Sequence, residues 1–263
     1  MNKIISLCLI LFFFYPAGSR AEQPPSVSGV TEKIIRQTGP WSGFKAQVTL
    51  EFATESTHAA CQGDLTYSRI EEKAMLDCYN LKGKLLFSYT AKDEEFELYL
   101  PGTSKAIHGT IFDAKYSPEV SLHLEPLDLY RALKIIPVIP ESAWLDGGGL
   151  RLRLSVRNTL NQSLARILEV TSEGDVPHEI FYRPDESPDV EIQRRDFKTF
   201  KVQGFKGKAH YPRVVEIQSL QAPRKTRLIF RSMTFLKGLG SEDWPQSRLS
   251  RGTLTERLAS AKE

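Results

Sequence analysis

The sequence has few cysteines, little net charge and none of the short catalytic motifs that can be recognised in a single chain. Three cysteines in 263 residues are too few for a disulfide-rich scaffold. A formal net charge of +3 gives no electrostatic argument for nucleic-acid binding. The patterns GxSxG, HExxH, GxGxxG and GxxxxGK[ST] do not occur. These absences count against the common hydrolase, zinc-protease and nucleotide-binding signatures, although an active site assembled across strands would leave no local motif.

Long apolar runs are also scarce, and the one at the N-terminus is typical of an export signal. Lys3 precedes the apolar stretch 4–15, and the small residues Ser19 and Ala21 lie where a signal peptidase reads. The stretch is shorter than the roughly 20 residues that a membrane span needs. We interpret 1–21 as a cleaved signal peptide, with an uncleaved N-terminal anchor as the alternative. The protein is then exported, and is soluble or peripherally associated with a membrane.

Removal of this signal leaves two cysteines, Cys61 and Cys78. It also lowers the formal net charge from +3 to +1, because Lys3 and Arg20 are lost and no acid is lost with them. Two cysteines in an oxidising compartment usually form a disulfide. Two free buried thiols are the alternative. Metal or redox chemistry is disfavoured, because neither CxxC nor HxxxH accompanies the pair.

The two cysteines lie in a predicted β-hairpin. The first strand covers about 60–68, and the second begins near 73. A four-residue loop, 68–71, would pair Tyr67 with Glu72 and would place Cys61 directly opposite Cys78. Directly opposed Cβ atoms are about 4.5–5.5 Å apart, which makes a cross-strand disulfide sterically reasonable.

Alternation of apolar and polar residues dominates the rest of the chain and predicts a sheet with one buried face. Strands are expected at these segments: 44–52, 60–68, 73–80, 85–91, 96–100, 150–157, 165–172, 177–184, 190–200, 213–219 and 226–236. The period changes to that of a helix between Pro126 and Pro137. The sequence therefore predicts a single domain over 22–245, mainly β with a few helices, followed by a flexible C-terminal tail at 246–263.

Neither the histidines nor the acidic residues form a convincing site. The five histidines lie in separate segments without shared spacing. The acidic stretch 175–189 is interrupted by prolines, and we interpret its carboxylates as solvated loop charges rather than an acid/base pair. No metal ligands and no cofactor are predicted.

Large apolar side chains are concentrated on one face of the first strands. For any single residue an ordinary core explains this. Collectively, a curved antiparallel sheet with an apolar interior can hold a ligand, and a proline-bounded helix at 126–136 could cover its open side. Such a cavity would suit an acyl chain.

The segment order resembles that of a known family. The segments "WSGFKAQVTLEF", "CQGDLTY", "MLDCYNLKGKLLFSY", "FELYLPGTSKAIHG", "EPLDLYRAL" and "TRLIFRSMTFLKGLGSEDW" are similar to those of the bacterial periplasmic lipoprotein carriers and acceptors, the LolA- and LolB-like proteins. The resemblance covers about residues 40–245. It implies an antiparallel unclosed β-barrel, or half-barrel, with a helical lid, and neither enzyme activity nor a cofactor.

The resemblance also implies ligands, partners and site residues. The expected ligand is a lipid or acylated lipoprotein, and envelope transport components are expected partners. The predicted lipid-binding residues combine positions carried by the resemblance with apolar positions of the sheet face: Trp41, Phe44, Val48, Leu50, Leu65, Tyr67, Phe87, Tyr89, Phe96, Leu98, Leu100, Leu129 and Leu133. Two alternatives stay open at this point: an envelope regulator or assembly factor that binds a protein partner through the concave sheet, and an unrecognised hydrolase or transferase.

Overall fold

The computed structural model describes residues 27–92, 95–110, 126–133, 142–146, 149–157, 163–240, 243–245 and 254–257. The predicted signal peptide lies outside these residues. The elements, numbered in chain order, are α1 Val27–Thr38, β1 Gly43–Ala53, β2 His58–Ser68, β3 Lys73–Tyr79, β4 Leu85–Lys92, β5 Glu95–Leu100, β6 Lys105–Thr110, α2 Pro126–Leu133, β7 Ser142–Asp146, β8 Gly149–Arg157, β9 Ser163–Val170, β10 His178–Tyr182, β11 Pro188–Gln203, β12 Lys208–Ser219, β13 Lys225–Leu236 and β14 Leu254–Arg257.

All fourteen strands belong to one sheet, in the order β14-β6-β5-β4-β3-β2-β1-β13-β12-β11-β10-β9-β8-β7. The sheet is antiparallel except where β14 pairs with β6 and where β11 touches the end of β13. Two meanders are therefore joined where β1 pairs with β13 along its whole length, from Gly43↔Leu236 to Ala53↔Lys225. The sheet does not close into a barrel, because its edge strands β14 and β7 are not paired with each other. The predicted mainly β half-barrel is confirmed.

The concave face holds the core. Every second residue of β1 is buried, as the alternation predicts, and the same face continues through β13, β12 and β11. The helix α2, predicted from its period, is confirmed over Pro126–Leu133. Its Leu129, Ala132 and Leu133 are fully buried in this core.

The helix α1 was not predicted, and it covers another part of the same face. Its Ile34 is buried with residues of β8, β9 and the loop after β9: Leu150, Leu152, Leu168, Val170 and Val176. Gly174, at φ 93°, lets that loop approach α1 closely, since a Cβ there would lie 2.8 Å from the Cβ of Lys33. The strands β6 and β7 were also missed. Among the described residues, no helix is long and apolar enough to cross a membrane.

The β2–β3 hairpin forms, but the register predicted for it is wrong by two residues. Its turn is 69–72 rather than 68–71: Ser68 pairs with Lys73, and Glu72 adopts a positive φ of 48°. The hydroxyl of Ser68 accepts a hydrogen bond from the backbone N–H of Glu71 at 3.1 Å, which stabilises this turn.

The disulfide is confirmed in spite of the shifted register. Gly63, not Cys61, lies opposite Cys78, so the disulfide joins diagonal positions whose Cα atoms are 5.9 Å apart. Both cysteines are buried on the concave face. Because side chains on one face keep the same parity, a shift of two residues leaves the two sulfurs on the same side of the sheet.

The C-terminal tail is not wholly irregular. Residues Leu254–Arg257 form β14, which pairs in parallel with β6 from Lys105 to His108. The expectation of a flexible tail is therefore wrong at these four residues. Sequence patterning misses so short an edge strand because backbone hydrogen bonds to an open sheet edge form it, rather than any apolar periodicity.

Candidate functional site

The predicted lipid-binding residues lie together on the concave face. Twelve of the thirteen are between 0% and 6% exposed, and the other, Leu100, packs at the border of the same cluster. The alternating positions of β1 to β5 point inward and bring most of them together; Trp41 directly precedes β1, and α2 adds Leu129 and Leu133. Their burial shows that they form the core in this conformation, and whether they bind lipid stays a prediction.

The first strands supply only half of the aromatic residues at the centre. Trp41 and Phe44 pack against Tyr211 of β12 and against residues of β13, Phe235 for both and Phe230 for Phe44, and Tyr67 packs against Phe44. We call these six residues the aromatic cluster; their contacting rings have centroids 5.2–6.1 Å apart. The last three were missed as site residues. The alternation in "TRLIFRSMTFL" marks a buried strand that contains Phe230 and Phe235, but it does not reveal that this strand pairs with β1, and Tyr211 lies just before the predicted strand 213–219.

The helix α2 is tied to this face by polar contacts at its C-terminal end. The Tyr211 hydroxyl donates to the carbonyl of Leu133 at 3.0 Å, and Arg194 Nη2 donates to the carbonyl of Ala132 at 3.2 Å. The last carbonyls of a helix have no partner within the helix, so these bonds satisfy groups that would otherwise be buried without one. A cation at this end is also favoured by the helix dipole. Burial raises the pKa of Tyr211, so its hydroxyl remains a donor.

Next to α2 the concave face carries charge rather than apolar side chains. We call this group the arginine cluster: Arg131, Arg166, Glu179, Arg183, Asp189 and Arg194. Glu179 lies between Arg166, whose Nε donates to it, and Arg194, whose Nη2 is 2.9 Å from its Oε2. The Glu179 side chain is 0% exposed. Burial raises the pKa of Glu179, but the charges of its two arginine partners lower it by more than burial raises it. The pKa therefore lies below its ordinary value, and the group stays ionised.

The rest of the arginine cluster connects Glu179 and its two arginine partners to α2. Arg131 of α2 lies over the ring of Phe181, 4.5 Å from its centroid, and Arg166 lies 5.1 Å from the same centroid. Arg131 also faces Asp189 at 3.9 Å, and Arg183 Nε donates to Asp189 at 3.2 Å. The interpretation of Glu179 and Asp189 as solvated loop charges is therefore wrong. Glu179 points inward because its position in β10 has the same parity as Phe181.

The opposite face of the sheet is polar and solvated. Glu216 is contacted there by Arg195, Lys225 and Arg227, of which Arg195 is 56% exposed. Arg194 and Arg195 are neighbours in β11 and therefore point to opposite faces. The two residues form a matched pair, one inside and one outside the concave face.

Comparison with known proteins shows the fold. No family model matches the sequence, and no curated protein matches it. An outer membrane lipoprotein-sorting protein domain from Vibrio parahaemolyticus superposes with a TM-score of 0.59 at 13% identity, covering 81% of this chain and 92% of that one. A LolA superfamily protein from Nitrosomonas europaea superposes with a TM-score of 0.57 at 13% identity, covering 83% of this chain and 97% of that one. A DUF1329 family protein from Desulfovibrio piger superposes with a TM-score of 0.60 at 10% identity, covering 87% of this chain and 100% of that one. The expected likeness to LolA-like proteins is confirmed as a likeness of fold.

Proposed function

We propose that this protein is an exported, periplasmic lipid- or lipoprotein-binding protein that shelters acyl chains against the concave face of its sheet. It acts as a carrier or sorting factor and not as an enzyme. Lipid or an acylated lipoprotein is the ligand, and envelope transport components are the partners that deliver or receive it.

The observation that carries this proposal is the way α2 covers the concave face. An eight-residue helix lies over a continuous aromatic and aliphatic surface, and two hydrogen bonds hold its C-terminal carbonyls. Movement of α2 away from the sheet would expose apolar side chains of the core without breaking any strand pairing. A surface of that kind is suited to an acyl chain.

The magnitudes are compatible with displacement of α2 by a lipid. Each of the two hydrogen bonds contributes a net of about 0.5–1.5 kcal/mol, or somewhat more where the donor is charged. Burial of one methylene group contributes about 0.8 kcal/mol. Displacement of α2 also exposes the buried Leu129 and Leu133, at about 1.5–3 kcal/mol each, so a long acyl chain offsets the whole loss once roughly ten of its methylene groups are buried. The fold shared with a LolA superfamily protein and with a lipoprotein-sorting domain supports the same conclusion.

Trp41 provides a direct test, because it lies at the centre of the aromatic cluster and is 2% exposed. The chain has three tryptophans, so replacement of Trp144 and Trp244 by Phe leaves Trp41 as the only indole. A fatty acid brominated in its chain quenches indole fluorescence only at short range. Added to delipidated protein, it should quench Trp41 in a saturable way.

The matched control retains Trp244 as the only indole; its ring contacts Lys73 instead of the aromatic cluster. Quenching there should be weaker. Mass spectrometry of organic extracts from natively purified protein should also find a co-isolated lipid. Absence of saturable quenching at Trp41, together with absence of any co-isolated lipid, would remove the carrier proposal.

A second candidate is an envelope regulator or assembly factor of the same fold that binds a protein partner. The near-complete burial of the concave side chains favours it, because the side chains that the structure describes fill the core beneath α2. Native mass spectrometry separates the two candidates. A defined protein complex that contains no lipid and is unaffected by added fatty acid would support the regulator or assembly factor.

A further inference from the structure

The arginine cluster carries more positive than negative charge. Its buried residues Arg166 and Arg194 share the single carboxylate of Glu179, which leaves a formal charge of +1 (2 − 1) on these three residues. Arg166 is 3% exposed and Arg194 is 1% exposed, so water screens this surplus poorly. Buried charges are normally balanced by partners, because removing an ion from water costs several kcal/mol.

Arg194 has hydrogen-bonding capacity that the described residues do not use. Its Nη2 faces Glu179 and the carbonyl of Ala132, whereas its Nε and Nη1 are buried and have no hydrogen-bond partner in the part of the chain that the structure describes. An unsatisfied buried donor on a charged group is costly. A guanidinium in this state is suited to donate hydrogen bonds to two oxygens of a carboxylate or phosphate.

The arginine cluster also lies in a suitable place for the head of an amphiphile. On the concave face it separates two apolar areas: the core under α2, which contains the aromatic cluster, and the smaller group around Ile34 of α1. Leu168 of the smaller group lies directly opposite Glu179 in the β9–β10 register. A ligand whose acyl chain occupies either area would bring its polar end to the arginines.

We propose that the arginine cluster binds the anionic headgroup of the ligand, a carboxylate or phosphate, with Arg194 as the principal donor. The substrate class is then an anionic amphiphile rather than a neutral lipid. This proposal rests on the proposed function and narrows it, because it assigns the polar end of the ligand to a position beside α2 and the acyl chain to the apolar surface.

The first experiment compares two ligands that differ only in the head. A fatty acid with a brominated chain and its methyl ester are titrated into the protein that retains only Trp41, at a pH well above the pKa of the free acid. Loss of a hydrogen bond to a charged group weakens binding by about tenfold or more, so the acid should bind about tenfold more tightly than the ester.

The two ligands separate failure of this proposal from failure of the proposed function. Equal binding of acid and ester overturns the headgroup site and leaves the acyl-chain site standing, whereas binding of neither removes both. Inorganic phosphate provides the third arm. If phosphate alone binds as tightly as the acid, the site is one for a free anion, and the amphiphile proposal is overturned.

Variants of the charged residues give opposite predictions. Arg194→Met removes the donor and leaves Glu179 with one arginine, so the acid-to-ester affinity ratio should fall about tenfold. Glu179→Gln removes the internal competitor for both arginines, so the ratio should rise. Arg195→Met, on the solvated face, should not change it.

A purely structural charge network would lower the affinity for acid and ester alike in the two inner variants and would leave their ratio unchanged. That outcome would overturn the proposal. If Arg194→Met does not fold, Glu179→Gln decides the question by the direction in which the ratio moves. Circular dichroism and thermal melts of each variant establish that the compared proteins are folded.

Discussion

The hydrogen bond from Tyr211 to α2 provides the most direct test of how the concave face opens. Tyr211→Phe keeps the ring in the aromatic cluster and removes only the hydroxyl, which donates to the carbonyl of Leu133 at 3.0 Å. If α2 must leave the sheet before an acyl chain enters, this bond stabilises the closed state alone. Its removal should therefore raise the population of the open state.

The size of the effect follows from the value of one buried neutral hydrogen bond. A loss of about 1 kcal/mol from the closed state raises the open fraction about fivefold. Apparent affinity scales with the fraction of competent protein, so the Kd for the brominated fatty acid should fall by about the same factor as long as the closed state predominates. The free energy of unfolding should fall by about 1 kcal/mol, because the folded state loses the bond. Higher affinity combined with lower stability is the expected signature.

The assay is quenching of Trp41 for affinity and urea unfolding for stability, on wild type, Tyr211→Phe and a control. Tyr79→Phe is the control, since the Tyr79 hydroxyl donates to Asp77 at 3.3 Å, away from α2. It should lose stability without gaining affinity. If Tyr211→Phe is folded and destabilised but binds fatty acid no more tightly than wild type, α2 does not control access to the concave face.

Three further outcomes are expected. Replacement of both disulfide cysteines by Ala should lower the free energy of unfolding by about 3 kcal/mol, read as a lower Tm, without changing the preference for acid over ester. Gly63→Ala should cost about 1–3 kcal/mol, because its Cβ would lie 2.8 Å from Cδ1 of Leu76 and 3.0 Å from the backbone carbonyl oxygen of Asp77, which cannot move aside as a side chain can. Gly102→Ala, with nothing within 4 Å of the added Cβ, should cost little, and equal Tm values for the two variants would contradict the packing argument. The pKa of Glu179 is lowered in the folded state from its ordinary value of 4.5, so the stability that its ionised form contributes is present above pH 4.5 and is lost as pH falls through the folded pKa. Urea unfolding measured across acidic pH should therefore show a smaller loss of unfolding free energy in Glu179→Gln than in wild type.

Local patterning predicted most of the strands and the faces that they bury. The alternation in β1 correctly indicated that Phe44, Val48 and Leu50 point into the core, because a side-chain period of two depends only on backbone geometry. The period of 126–133 likewise predicted α2. The hairpin register was wrong by two residues, because the turn is decided by the positive φ of Glu72 and by the bond between Ser68 and Glu71, which apolar alternation does not encode.

The charged residues show where patterning stops. Glu179 lies in a stretch rich in acids and prolines that is typical of a solvated loop, yet it is fully buried between two arginines. One of these, Arg166, comes from the neighbouring strand, and the other, Arg194, comes from the strand on the opposite side. Burial of a carboxylate depends on partners that strand pairing brings beside it, here from β9 and β11, so the local sequence does not reveal it.

The sequence by itself determined which apolar strand residues face inward, that the two cysteines would form a disulfide, and that a helix would interrupt a mainly β chain. These properties follow from side-chain period, local propensity and redox chemistry, which act over a few residues. Tertiary structure alone decided that β1 pairs with β13, that Tyr211, Phe230 and Phe235 complete the aromatic cluster, and that Arg194 lies beside both Glu179 and the end of α2. Those contacts join residues far apart in the chain, and only the curvature and register of the complete sheet bring them within reach of one another.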